Sequence, residues 1–422
     1  MKLAHLTAGT GGWWCGACLR DESTVRALRQ AGHHTSFIPL YLPLRLEALT
    51  PDAPVFFGGL NVWLQQQLPM LRHLPLWADR PLDATPVLRM VGRAAAHTTP
   101  ASTGPLTVSM LRAHQGTQPR EVARLVAHLA ADPPDAILLS NSLLAGVGLA
   151  LREQLGVPVV GTFQSEADFL DALPPADATE AWQVLAKVAP RLDGWVATSP
   201  FVAARMSSRL GLPGVNIRSL PPAIDANSFQ QATPANSARI AHVARLTPDK
   251  GLDRLIGAVA RLRDEGITAH IHAGGALAPG AQAWLRELRA QVDALSLHDQ
   301  VQITPDLSAE AKRALLASAG LFCVPSRKAE SVGWYHIEAM AAGLPLVAPR
   351  SGNTPGLLPP DAARLFTADS DDALVDALRA LVTDPPRRAQ MGCAAHQHAA
   401  SHFQLTAILP QLESVLRRAT AA

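Results

Sequence analysis

Short apolar runs recur along the chain, each near a longer stretch with the look of a helix. In the first half, 2–7, 35–40, 136–139, 157–162 and 194–198 read as strands; in the second, 239–243, 269–273, 301–303, 321–324 and 346–348 repeat the pattern. Buried strands alternating with helices predict parallel sheets covered on both faces. The expected fold class is therefore α/β, with two doubly wound, Rossmann-like units in tandem. Between the two series, Leu220-Pro-Pro-Ala-Ile-Asp225 and the mostly polar run 230–238 read as a linker. The expected division is an N-terminal domain over 1–220, a linker over 221–238, a second domain over 239–390 and a helical tail over 391–422. Residues 68–104 fit the rhythm least. Pro75, Pro81 and Pro86 interrupt any long helix there and leave room only for short amphipathic ones.

Composition narrows the partners. A chain of 422 residues exceeds one ordinary core, in agreement with two domains. The formal net charge is +2 and no dense Lys/Arg block occurs, so nucleic acid is not an expected partner. The apolar run 1–6 is too short for a secretion signal, no run has the length of a membrane span, and four cysteines give no disulfide framework. The expected location is cytoplasmic. Five lysines stand against 32 arginines, which sets Lys250 in its glycine-bounded loop apart from casual surface charge.

The chemistry concentrates in Glu330-Ser-Val-Gly-Trp-Tyr-His-Ile-Glu338-Ala-Met-Ala-Ala-Gly343. It reads as loop and then helix, preceded by a strand ending at Pro325-Ser326 and followed by the buried run Leu344-Pro-Leu-Val347. A helix beginning near Val332, Gly333 and Trp334 turns open N–H groups and its positive end toward an anion. Carboxylates cannot bind a diphosphate directly, but they accept hydrogen bonds from hydroxyls. Glu330 and Glu338 beside an anion site therefore suggest a ligand that is part phosphate and part sugar.

With Ala-Met-Ala-Ala-Gly after Glu338, and His242-Val-Ala-Arg245-Leu-Thr-Pro-Asp-Lys250-Gly251 earlier in the chain, the sequence resembles the retaining glycosyltransferases of family four (glycosyl transferases group 1). That resemblance implies the GT-B fold, two Rossmann-like domains facing a central cleft, and a hexosyltransferase type of enzyme. It implies that Arg245 and Lys250 bind the donor diphosphate, that Glu330 contacts the transferred sugar and that Glu338 holds the ribose. The partners implied are a nucleotide sugar donor and an unidentified acceptor. Retention of anomeric configuration, no metal and no cofactor are implied as well. In GT-B enzymes the last helix often crosses back to the first domain.

The first-domain loop Gly9-Thr-Gly11-Gly12-Trp-Trp-Cys15-Gly16-Ala-Cys18 brings backbone close to a ligand. In the family it lies against the donor and shapes the acceptor site, which makes Gly11 and Gly12 substrate-binding candidates. The dinucleotide reading of the same loop is weaker, since Trp14 stands where a third small residue belongs. Cys15 and Cys18 lack the second pair of a zinc site, so packing at a tight turn is preferred to a metal or redox role. His396, His398 and His402 read as surface, and Asp369-Ser-Asp371 as a helix cap. Two departures from the family stand out. Its usual first-domain histidine is replaced in Ser140-Asn141-Ser142 and Phe163-Gln164-Ser165-Glu166, where Gln164 and Glu166 become the acceptor-side candidates. Gly356 stands where a glutamate commonly follows the loop Gly352-Asn-Thr-Pro.

The segment 68–97 is expected to wall the acceptor site. Peripheral contact with an anionic membrane is its weaker alternative, because its excess of positive residues is small. Three rival functions remain: a nucleotide-sugar-binding protein without transferase activity, a sugar phosphorylase or epimerase of the same fold, and an NAD-dependent oxidoreductase, which explains the first glycine loop but not the glutamate pair.

Overall fold

The computed structural model describes residues 1–9, 16–41, 46, 49–53, 55–57, 100–234, 237–277 and 280–421. Gly11, Gly12, Cys15 and the segment 68–97 lie outside these described residues. By contact the chain forms two units, Met1–Ala223 joined by Ile408–Ala422, and Ile224–Ala407.

The first unit holds strands β1 (Lys2–Thr7), β2 (His34–Pro39), β3 (Ala136–Leu139), β4 (Val159–Phe163), β5 (Gly194–Ala197) and β6 (Ile217–Ser219). They form one parallel sheet in the order β2-β1-β3-β4-β5-β6. All four residues of β3 are buried, as a central strand covered on both faces requires. The second unit holds β7 (Arg239–Val243), β8 (His270–Gly275), β9 (Val301–Pro305), β10 (Leu321–Cys323), β11 (Leu346–Pro349) and β12 (Ala363–Phe366). Its order, again all parallel, is β12-β11-β10-β7-β8-β9. Chain order runs outward in one direction from β7 and in the other from β10. The gap between their C-terminal ends is thus a topological switch point, where open α/β sheets bind ligands. The corresponding point of the first sheet lies between β1 and β3.

Two strands fall outside the sequence expectation. β6 has three residues, of which only Ile217 is buried, and β12 buries only its two ends. Neither presents the continuous apolar run by which central strands are read.

The expected linker and tail also take a different form. Ile224 N–H donates to Phe403 O at 2.8 Å, Leu405 N–H to Ile224 O at 3.2 Å and Ala232 N–H to Ala342 O at 2.8 Å. These bonds pin the segment after Ala223 to the second unit. The tail divides between the units. Helix Pro385–His402 buries Ala395 and Ala399 in a core of the second. From helix Leu405–Ala421, Leu412, Leu416 and Ala419 pack with Leu3, Leu28, Leu138, Val160, Val196 and Leu220 of the first. Among the described residues no helix is long and apolar enough to cross a membrane.

Candidate functional site

The switch point of the second sheet gathers the residues singled out around β7 and β10. After β7 the chain makes a turn, Pro248–Lys250, and enters helix Leu252–Asp264 through Gly251, whose φ is 70°. A Cβ on Gly251 would stand 2.2 Å from Pro325 O. Glycine is what lets this loop press against the end of β10. The approach brings Lys250 Nζ to 2.5 Å from Glu330 Oε1, and both side chains are about nine-tenths buried. Lys250 Nζ also lies 3.9 Å from Asp249 Oδ2 and 5.3 Å from the centre of the Tyr335 ring.

A second loop supports Glu330 from behind. Gly352, at φ 56°, leaves room where a Cβ would meet Glu330 N at 2.7 Å and Glu330 O at 2.5 Å. Asn353 N–H donates to Glu330 O at 2.7 Å, and its Nδ2 to Val332 O at 3.1 Å. Gly356 lies four residues beyond Gly352 in the short helix Thr354–Leu357. Helix Trp334–Ala341 then begins after Gly333, which sits at φ 77°, with no side-chain cap on its first N–H groups. Glu338, one turn further in, is buried and pairs through Oε1 with Lys312 Nζ of helix Ala309–Ala317.

Each glutamate thus gives one oxygen to a lysine. Among the described residues the Oε2 atoms of both make no hydrogen bond, yet neither belongs with the buried atoms that lack a partner. Both therefore remain within reach of solvent and free to accept from a hydroxyl.

Burial pushes the Glu330 carboxyl up, but Lys250 outweighs it and holds the group below the usual carboxylate range. The Tyr335 hydroxyl, beside it but short of hydrogen-bond geometry, and His336 act in the same sense. Asp249 is likewise held low: burial opposes this, while the Thr247 hydroxyl, Lys250 and Arg245 prevail. The Arg245 residue is exposed, and its side chain enters no hydrogen bond or ion pair among the described residues. His336 is fully buried, and burial lowers its pKa to about 4. Among the described residues neither of its ring nitrogens has a partner; Trp334 Nε1, Tyr335 Oη and Ser351 Oγ share that condition. Buried polar atoms in native proteins are nearly always satisfied; of these orphaned groups, Tyr335 and His336 act on the Glu330 carboxylate.

Gln164 and Glu166 lie in the first unit, just past β4. Glu166 is buried and accepts from Ser142 N–H at 2.9 Å and Gln164 N–H at 2.5 Å, tying the loop after β3 to the loop after β4. Burial raises its pKa against the pull of those backbone donors and of Arg20. Gln164 Nε2 donates to Ser140 O at 2.6 Å, and Arg20 Nη2 donates to the same carbonyl at 2.7 Å. Arg20 also pairs with Asp21, which lies within 3.4 Å of His5 Nε2 and accepts from Thr7 Oγ1 at 3.1 Å.

The other candidates resolve as structural parts. Ser370 Oγ caps helix Asp371–Val382 by accepting from Ala373 N–H at 3.1 Å. His396 Nδ1 hydrogen-bonds Ala341 O at 2.8 Å, and the His398 and His402 rings stack on each other. Cys18 is buried in helix Gly16–Gln30. The sequence reading missed Lys312, Tyr335, His336, Arg20 and Asp21. Lys312 carried a usable signal, since the scarcity of lysine that marks Lys250 applies to it equally.

Comparison with known proteins defines the class. Sucrose-phosphate synthase from Thermosynechococcus elongatus has the same fold, with a TM-score of 0.72, 19% identity and 100% of both chains covered. HepE from Anabaena, solved in complex with UDP, gives a TM-score of 0.69 at 20% identity over 99% of this chain and 100% of that one. These likenesses establish the GT-B fold. Residues 223–398 match the family model described as glycosyl transferases group 1, and 88–228 match that of glycosyltransferase family 4. A D-inositol 3-phosphate glycosyltransferase from Kribbella flavida is 31% identical over 302 residues, 64% of this chain and 69% of the relative. The chain belongs to the family-four glycosyltransferases. A GDP-mannose-dependent alpha-(1-6)-phosphatidylinositol monomannoside mannosyltransferase from Mycolicibacterium smegmatis is 29% identical over 225 residues. The match covers 49% of this chain and 57% of that relative, so it spans little more than half of the relative's length.

Proposed function

We propose that this protein transfers a hexose from a nucleoside diphosphate sugar to an acceptor hydroxyl, with retention at the anomeric carbon and without a metal or cofactor. One observation carries the reading: at the switch point of the second sheet, two buried glutamates each pair with a lysine and keep one oxygen open, close to the uncapped helix start. In this reading the diphosphate lies at the N–H groups of Gly333 and Trp334, near Val332, and faces Arg245 and Lys250. Glu330 accepts from a hydroxyl of the sugar and Glu338 from the ribose. Departure of the diphosphate builds negative charge. One cation at about 4 Å, in an effective dielectric near 20, supplies about 4 kcal/mol of attraction before desolvation is counted. No side chain then needs to be a strong nucleophile, and the leaving phosphate takes the acceptor proton.

The donor we favour is GDP-mannose, because a mannosyltransferase dependent on it is among the relatives. UDP-glucose is the donor to test against it. The acceptor is assigned to the first unit, where Gln164 and Glu166 join the loops after β3 and β4. Relatives named for phosphatidylinositol monomannoside and for inositol 3-phosphate indicate the polyols to try first. A cytoplasmic location follows from the use of a nucleotide sugar.

Thermal shifts with GDP-mannose, UDP-glucose and NADH, followed by product analysis, test the proposal. Stabilisation by one nucleotide sugar, with transfer to a polyol and an α-configured product, is the expected result. Binding without transfer or donor hydrolysis would leave a nucleotide-sugar-binding protein, and stabilisation by NADH alone would leave the oxidoreductase.

A further inference from the structure

Lys312 has no part in the reading so far, yet it is the sole hydrogen-bond partner of the Glu338 carboxylate among the described residues. Its position is specific. The ammonium comes from helix Ala309–Ala317, which follows β9, and reaches a carboxylate on helix Trp334–Ala341, which follows β10. The side chains of Lys312 and Glu338 are 18% and 7% exposed, so the pair sits at the edge of the interior. A carboxylate that far from water holds its charge at a cost unless a cation faces it. The pair also divides the carboxylate: Oε1 is occupied, while Oε2 makes no hydrogen bond among the described residues and remains within reach of solvent.

We propose that Lys312 is a positioning residue for nucleotide recognition: by holding Oε1 of Glu338 it fixes the carboxylate and aims Oε2 at the ribose hydroxyls. This rests on the assignment of Glu338 to the ribose. Lys312 does not itself touch the diphosphate. Its effect therefore appears only when the ligand carries hydroxyls for Glu338 to accept from.

The test compares affinities for GDP and for 2′,3′-dideoxy-GDP by calorimetry in the intact protein and in Lys312→Met, Lys312→Arg and Glu338→Gln. Removing the partner that orients a ligand-binding side chain costs about tenfold or more in affinity. Lys312→Met should lose about that factor for GDP and almost nothing for the dideoxy analogue, and Lys312→Arg should restore most of it. Glu338→Gln should erase the preference for ribose whatever stands at 312. If Glu338→Gln keeps the preference, the ribose assignment itself fails. If Glu338→Gln erases it but Lys312→Met keeps it, the assignment stands and the role of Lys312 is overturned. Equal losses of Lys312→Met for both ligands would also overturn it, by showing a direct phosphate contact. A drop in melting temperature with both affinities intact would show a purely structural pair and overturn it too. Should UDP prove to be the bound nucleotide, the same four proteins are compared with UDP and its dideoxy analogue.

Discussion

At the scale of single residues, the site separates cations by what already engages them. Lys250 is bound to Glu330, whereas Arg245 is exposed and makes no ion pair among the described residues. Both face phosphate charge in the proposed reading, so Arg245→Ala and Lys250→Ala should each weaken GDP binding by about tenfold while leaving guanosine nearly unchanged. Calorimetry with the two ligands decides, and equal losses would remove the assignment. Glu330→Gln should lower turnover far more than GDP affinity, since its open oxygen is assigned to the sugar. The buried histidines add a pH dependence. His242 and His336 are each lowered to about 4 by burial, below the ordinary value near 6.5. The unfolded chain therefore binds protons that the folded chain refuses as pH falls between those values, and stability drops over that window. The cost reaches on the order of 3 kcal/mol per histidine. Urea unfolding at pH 7 and pH 4.5 should show this loss, and His336→Phe should reduce it. An identical pH slope in the variant would refute the role of His336. The burial of His242 was legible, since it falls in the run 239–243 read as a buried strand; that of His336 was not, because it occupies a helical position like any other and is packed against Phe322, Tyr335 and Gly333.

At the scale of elements, the loops did more than the motifs announced. The strands of both sheets were readable because central parallel strands are continuous apolar runs; the short edge strands β6 and β12 were not. Glu330, Glu338, Arg245 and Lys250 were legible as motif positions. Their pairing with lysines was not, because about eighty residues separate Lys250 from Glu330 in sequence and 26 separate Lys312 from Glu338. What joins the first pair is the close approach at Gly251. Gly251→Ala places a methyl 2.2 Å from Pro325 O on a backbone at φ 70°. The left-handed conformation alone costs about 1–3 kcal/mol, and relief of the clash moves Lys250 away from Glu330. The variant should thus lose stability and diphosphate affinity together. Loss of stability with unchanged affinity for GDP would show that the loop's position does not set the site.

At the scale of the whole molecule, the two units are not two consecutive stretches of chain. The first is completed by Ile408–Ala422, which arrives after the second has been made. The sequence suggested a crossing tail by resemblance, but not where it divides. Helix Pro385–His402 and helix Leu405–Ala421 are both amphipathic, and only packing shows that the former serves one core and the latter another. The consequence is that a change far from every ligand residue should act on the first unit alone. Leu416 is fully buried among Leu3, Leu28 and Leu138. Leu416→Ala should cost about 2–5 kcal/mol through lost burial and the cavity left behind. Because the diphosphate and ribose contacts assigned to Arg245, Lys250, Gly333, Trp334 and Glu338 belong to the second unit, GDP affinity at a temperature where the protein remains folded should be unchanged. Transfer to the acceptor should fail at a lower temperature than in the parent protein, since the acceptor loops after β3 and β4 belong to the destabilised unit. Denaturant unfolding followed by tryptophan fluorescence, with calorimetry of GDP binding beside it, separates the two effects. If GDP affinity falls along with stability, the last helix supports the second unit as well, and the assignment of Ile408–Ala422 to the first is wrong.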